Sequence, residues 1–94
     1  MTLIIAQGKF WAGRIVITPG AQSKVSEDDA LECLARHVAG DWGDLDENDR
    51  KENDLALEYG FRLFSRYVTP GGTTFWIITE HDRSVTTILL PEEY

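Results

Sequence analysis

Apolar positions along this chain change period twice. Residues 1–20 hold short apolar runs, Leu3-Ile4-Ile5-Ala6, Phe10-Trp11 and Ile15-Val16-Ile17, separated by Gln7-Gly8-Lys9 and Gly13 and stopped by Pro19-Gly20. Short runs rich in β-branched residues between turn residues predict strands, here a β-hairpin with Thr2–Ala6 as its first arm. Ala21–Val25 reads as a linker. From Ser26 the period becomes helical, with Ala30, Leu31, Leu34, Ala35 and Val38 on one face. Ser26-Glu27-Asp28-Asp29 has the capping-box pattern, its carboxylates suit the positive end of a helix dipole, and Gly40 is the expected stop. A second helix is expected from Asp46 to about Tyr59, stopped by Gly60. Its first half is polar all round and Leu55, Ala56, Leu57 and Tyr59 fall late, so it should pack by its C-terminal end. The last block returns to strands. Phe61–Thr69 and Thr73–Thr79 flank the turn Pro70-Gly71-Gly72, and Val85–Leu90 follows a polar turn and is closed by Pro91.

The predicted order is ββ-αα-βββ. The expected architecture is α+β, an antiparallel sheet of about four to five strands with one main amphipathic helix on one face. A chain of 94 residues suits a single domain over residues 1–94. With 43% hydrophobic residues it reads as a folded chain, and Phe10, Trp11, Trp42, Tyr59, Phe61, Phe64, Tyr67, Phe75 and Trp76 are the expected bulk of the core. Trp42, in a polar loop, is expected to plug the edge of that core. No apolar run approaches the roughly 20 residues of a membrane span, and the N-terminal run lacks the basic flank of a secretory signal. Cys33 is the one cysteine, so an intrachain disulfide is excluded and a reducing cytoplasm is the expected compartment.

Charge sharpens the picture. The net charge is −7, but residues 27–58 alone carry −9 and the rest of the chain +2. Within Asp41–Glu58 there are eight carboxylates and two cations. That field repels phosphates within a Debye length of about 8–10 Å, so direct nucleic-acid binding is not expected. A basic protein surface is the expected partner, with Asp41, Asp44, Asp46, Glu47, Asp49, Glu52 and Asp54 as candidate contacts and Trp42 as a candidate aromatic anchor. Carboxylates on a rigid helix can imitate backbone phosphates, so a protein that grips nucleic acid is a natural target.

Other constellations are weaker. Asp44–Asp49 offers oxygen ligands at alternate positions, but a calcium loop needs Gly at position 6 and Glu at position 12, where this chain has Asp49 and Leu55. It reads as a solvated helix start. Cys33 and His37 stand four apart on one helix, yet a zinc site needs more ligands than this chain spaces for it. Cys33 is then a small buried hydrophobe, and His37, in the last helical turn, suits the dipole as a cation. Pro70–Thr74 lacks the Gly-Lys-Ser/Thr end of a phosphate loop. No cofactor, metal ligand or catalytic residue is assigned. Two rival readings remain: a small hydrolase or toxin using Glu80, His81 and Asp82 of the 80–84 turn, and a homodimer pairing through a strand edge at Thr2–Ala6 or Val85–Leu90.

Two segments carry a resemblance: Gly40-Asp41-Trp42-Gly43-Asp44-Leu45-Asp46-Glu47-Asn48-Asp49, and Trp76-Ile77-Ile78-Thr79-Glu80 with Asp82-Arg83-Ser84-Val85-Thr86-Thr87-Ile88-Leu89-Leu90-Pro91-Glu92-Glu93-Tyr94. Over roughly residues 30–94 the chain resembles a family of small bacterial plasmid- and phage-associated proteins, called plasmid-related proteins, some of which carry the label of a type I restriction modification subunit. A modification subunit needs a far longer cofactor-binding domain and an Asn-Pro-Pro-aromatic motif, neither of which is here. The resemblance implies an accessory protein of a mobile element, and the sharpest form of that idea is inhibition of a nucleic-acid-handling defence protein, as in anti-restriction or anti-CRISPR proteins.

Overall fold

The structure is a computed structural model and describes residues 8–94. The elements are β1 (Arg14–Ile17), α1 (Pro19–Lys24), α2 (Glu27–Val38), α3 (Glu47–Tyr59), β2 (Leu63–Val68), β3 (Thr74–Thr79) and β4 (Val85–Leu89), followed by a 3-10 turn over Pro91–Glu93. The class is α+β, with four strands among the described residues. No helix among these residues is long and apolar enough to cross a membrane. The expected strand Thr2–Ala6, and with it the hairpin and one proposed dimer edge, lies outside the described residues.

The sheet order is β1-β4-β3-β2. β2, β3 and β4 form the expected antiparallel meander, with Ser65 opposite Ile77 and Ile77 opposite Ile88. β1 instead runs parallel to β4, Arg14 opposite Val85 and Ile17 opposite Ile88, so the sheet is mixed rather than wholly antiparallel. β4 is thereby paired on both sides, which corrects the expectation that Val85–Leu90 offers a free edge. The cause lies at Pro19-Gly20. β1 stops before Pro19 as expected, but in place of the expected linker Pro19 opens α1, because Thr18 accepts from the Ala21 N–H at 3.3 Å and proline's fixed φ suits a first helical position. The chain is thus turned onto one face of the sheet.

That face is the core. Leu63, Ser65 and Tyr67 of β2, Phe75, Ile77 and Thr79 of β3, and Thr86 and Ile88 of β4 are buried at every second position. α2 covers them. Ser26 accepts from the Asp29 N–H at 3.1 Å, and at the other end Gly40 takes φ 83° while the Gly40 and Asp41 N–H groups bond to the His37 and Arg36 carbonyls. The buried stripe of α2 keeps Ala30, Leu34 and Val38 of the expected face and adds Cys33 and His37. Ala35 is exposed and Leu31 half-buried. Burial pushes the Cys33 thiol above its usual range, in keeping with its role as a small hydrophobe.

His37 is a correction. Its side chain is wholly buried, and burial, assisted by the Arg83 charge, lowers its pKa to about 3, so it packs as a neutral ring and not as a dipole-facing cation. Its partners define the tautomer. Thr86 Oγ1 donates to the Ala12 carbonyl at 2.6 Å, so it accepts from Thr79, 2.7 Å away. Thr79 therefore accepts from His37 Nε2–H at 2.9 Å, and Nδ1 accepts the Ser65 hydroxyl at 2.5 Å. A single directed chain of hydrogen bonds runs from Ser65 through His37, Thr79 and Thr86 to the Ala12 carbonyl.

The aromatic residues divide. Trp42, Tyr67 and Phe75 are buried, Phe10, Phe64 and Trp76 are half-buried, and Trp11, Tyr59 and Phe61 are exposed, against the expectation that all nine serve the core.

Candidate partner-binding surface

The acidic segment forms α3 and the loop before it. Asp46 is the N-cap, its carboxylate accepting from the Asp49 N–H at 2.8 Å, and Gly60 closes the helix at φ 77°. Only Asn53 and Ala56 of α3 are buried. Of the expected C-terminal apolar anchors, Ala56 and Leu57 pack with Trp42 and Leu63, Leu55 and Tyr59 stay exposed, and hydrogen bonds add the rest. Asn53 Nδ2 donates to the Phe64 carbonyl at 2.6 Å and its Oδ1 accepts the Phe64 N–H at 3.0 Å, so one side chain docks the middle of α3 on the edge of β2. At the C-terminus Arg83 donates to the carbonyls of Ala56, at 3.1 Å, and Phe61, at 2.6 Å, a cation at the negative end of the helix. Arg83 itself sits at φ 61° in the β3–β4 turn.

The carboxylates do not form one ridge. Helical spacing places Glu47, Asp54 and Glu58 in one row and Asp49 and Glu52 in another. In the first row Glu58 is exposed, while Lys51 pairs with Glu47 at 3.4 Å and Asp54 accepts the Trp42 indole N–H at 3.0 Å. Asp41 is engaged as well, bonded to Arg36 at 2.8 Å and to the Gly43 N–H at 3.2 Å; the Arg36 hydrogen bond chiefly holds its carboxyl below the usual range. Arg50 turns away from all of them and ties down the loop carbonyls of Gly43 and Leu45. Asp44, Asp49 and Glu52 remain exposed, with no side-chain ion pair among the described residues.

Trp42 is the plug and not the anchor. It is 4% exposed, stacks on Phe10 and meets the His37 ring edge-on. Gly43 beside it takes φ 77°, and the Arg66 carbonyl and Tyr67 ring occupy the place of any Cβ.

The apolar groups that a partner would meet are others. Asp49 and Glu52 border a groove of about 590 Å³ between α3 and β2, floored by Ala56 and Phe64 and flanked by Leu45, Leu55 and Phe61. Leu55 is 53% exposed and Phe61 62%. The groove continues, through the shared Leu45, Asp49 and Phe64, into a second depression of about 610 Å³ bordered by Asp44, Asp46, Arg66 and Trp76. There Phe64, Trp76 and Tyr94 meet edge to face, with ring centres 5.0 and 5.6 Å apart. The sequence pattern expects Phe61 in the core and Leu55 in the packed C-terminal end of the helix. Their one outward signal is position: Leu55 falls in the polar half-turn after Glu52, and Phe61 follows the helix-ending Gly60.

The 80–84 turn holds itself together. Asp82 accepts from the Ser84 N–H and hydroxyl at 3.0 and 2.6 Å, bonds that keep its carboxyl below the usual range, while His81 is exposed. Among the described residues the hydrogen-bonded serine–histidine pair is Ser65 and His37, and it is sealed inside the core. Among the described residues no group of three or more His, Cys, Asp or Glu side chains is placed to hold a metal ion. Compared with known proteins, the chain matches no family model, no curated protein and no solved structure.

Proposed function

We propose that this protein is a non-enzymatic acidic binding protein whose target is a basic protein surface. The observation that carries this is the continuous surface across α3 and the outer face of β2 and β3. It combines exposed carboxylates at Asp44, Asp49 and Glu52 with accessible apolar groups at Leu45, Leu55, Phe61 and Phe64. Charge speeds encounter and selects the sign of the partner, while buried apolar anchors carry affinity, and this surface offers both. The resemblance to plasmid- and phage-associated proteins supports placing it as a cytoplasmic accessory protein of a mobile element. A nucleic-acid-handling defence protein is then a fitting target, its phosphate-binding groove met by carboxylates.

The test is capture from bacterial lysate at low and high salt, with the triple variant Asp44→Lys, Asp49→Lys, Glu52→Lys as control. Asp46 and Asp54 stay in place because they cap α3 and hold Trp42. A partner lost at high salt and lost with the variant supports the reading. A partner held equally by both proteins overturns it.

A further inference from the structure

We propose that the groove between α3 and β2 receives a positively charged amphipathic α-helix of the partner. This rests on the acidic-surface reading above and specifies its occupant.

The shape of the occupant follows from hydrogen-bond accounting along β2. β2 is an edge strand, and an edge commonly recruits an added strand through its free N–H and C=O groups. Beside α3, at Phe64 and Arg66, the outward groups are already satisfied. The N–H and C=O of Phe64 are bonded to Asn53, and those of Arg66 to the Trp42 carbonyl at 3.2 Å and the Asp44 N–H at 2.7 Å. An extended peptide lying here would leave its own backbone groups without partners. A helix satisfies its backbone internally and binds through side chains alone, so it suits a groove whose backbone is closed.

Charge sets the rest. Asp49 and Glu52 border the groove, and Asp44 and Asp46, with the single cation Arg66, border its continuation. Arg62, the cation in the first lining, turns its guanidinium onto Tyr94, bonding its hydroxyl and covering its ring. The α3 wall spans thirteen residues, about 20 Å at 1.5 Å per residue, which matches a helix of three to four turns. The fitting segment carries apolar side chains at i, i+3 or i+4, and i+7 against Leu55, Phe61 and Phe64, with Lys or Arg on its flanks.

The test uses three labelled synthetic peptides of about 14 residues and fluorescence anisotropy. One is a Leu/Lys peptide with helical periodicity, the second has the same composition in strict alternation, and the third is a Leu/Glu helix. The proteins are the wild type, Leu55→Ser with Phe61→Ser, and Asp49→Lys with Glu52→Lys; all the changed side chains are exposed, and circular dichroism confirms their folds. The expected result is binding of the helical Leu/Lys peptide with a gain of helical signal, weakened about tenfold or more by either variant and by alternation, and no binding of the Leu/Glu helix. If the alternating peptide binds as tightly, or the Leu55/Phe61 variant binds undiminished, the helix-in-groove proposal is overturned while the acidic reading stands. If no basic peptide binds and the charge-reversed protein still captures the same partners, both fall.

Discussion

α2 and α3 begin alike and are held differently. Each opens on a side chain that accepts from the N–H three residues on, Ser26 in one and Asp46 in the other, and each carries carboxylates in its first turn. α2 then buries five side chains against the sheet, whereas α3 buries two. Apolar area holds α2. α3 has a small apolar contact, Ala56 and Leu57 against Trp42 and Leu63, and adds directed polar ties: Asn53 on the edge of β2, Asp54 on the Trp42 indole and Arg83 on the terminal carbonyls. The difference has a functional consequence. A helix docked largely by hydrogen bonds needs few of its apolar side chains in the core, and Leu55, with Phe61 just beyond the helix end, is left facing solvent beside a groove.

The contrast can be broken from either side. Leu34→Ala should be the largest single loss, about 3–5 kcal/mol, because the side chain is fully buried under α2 and the cavity cannot collapse against a sheet. Urea unfolding measures it, and a loss under 1 kcal/mol would show that α2 is not held by packing. Asn53→Ala should cost about 2–3 kcal/mol, since it leaves both the N–H and the C=O of Phe64 without a partner. Hydrogen exchange should then show α3 opening while α2 stays protected; equal opening of the two helices would erase the distinction.

Acid should act through α2. The folded protein keeps His37 neutral down to about pH 3, whereas an unfolded chain protonates its histidines near 6.5. Between those values the unfolded state binds the extra proton. Stability should therefore be flat above about pH 6.5 and fall by up to about 1.4 kcal/mol per pH unit below it. His37→Leu should flatten that slope between pH 6.5 and 4.5, whatever it does to stability at pH 7. An unchanged slope would place the acid sensitivity elsewhere. The smallest expected effect on stability is at the groove: Leu55→Ser should stay within about 0.5 kcal/mol of wild type. A larger loss would mean that Leu55 serves the fold and not a partner.

Local signals were legible in the residues themselves. Ser26 and Asp46 as helix starts, Gly40 and Gly60 as stops, and the hairpin around Pro70-Gly71-Gly72 depend on side chain–backbone chemistry within a few positions, which spacing reveals. The α+β class follows from those elements, and so does the concentration of charge in one segment. What lay beyond the sequence depends on contacts made across it. Pro19 could end a strand or begin a helix, and the parallel pairing of β1 with β4 involves residues some seventy positions apart. His37 reads as a surface cation until Ser65 and Thr79 close around it. The acidic residues read as one ridge until Asn53 sets the rotation of α3, which turns Asp54 toward Trp42 and Asp49 and Glu52 toward the groove. Sequence determined which groups could hydrogen-bond, charge or pack; the tertiary structure decided which of them were already satisfied, because a group's availability depends on neighbours that only folding brings near.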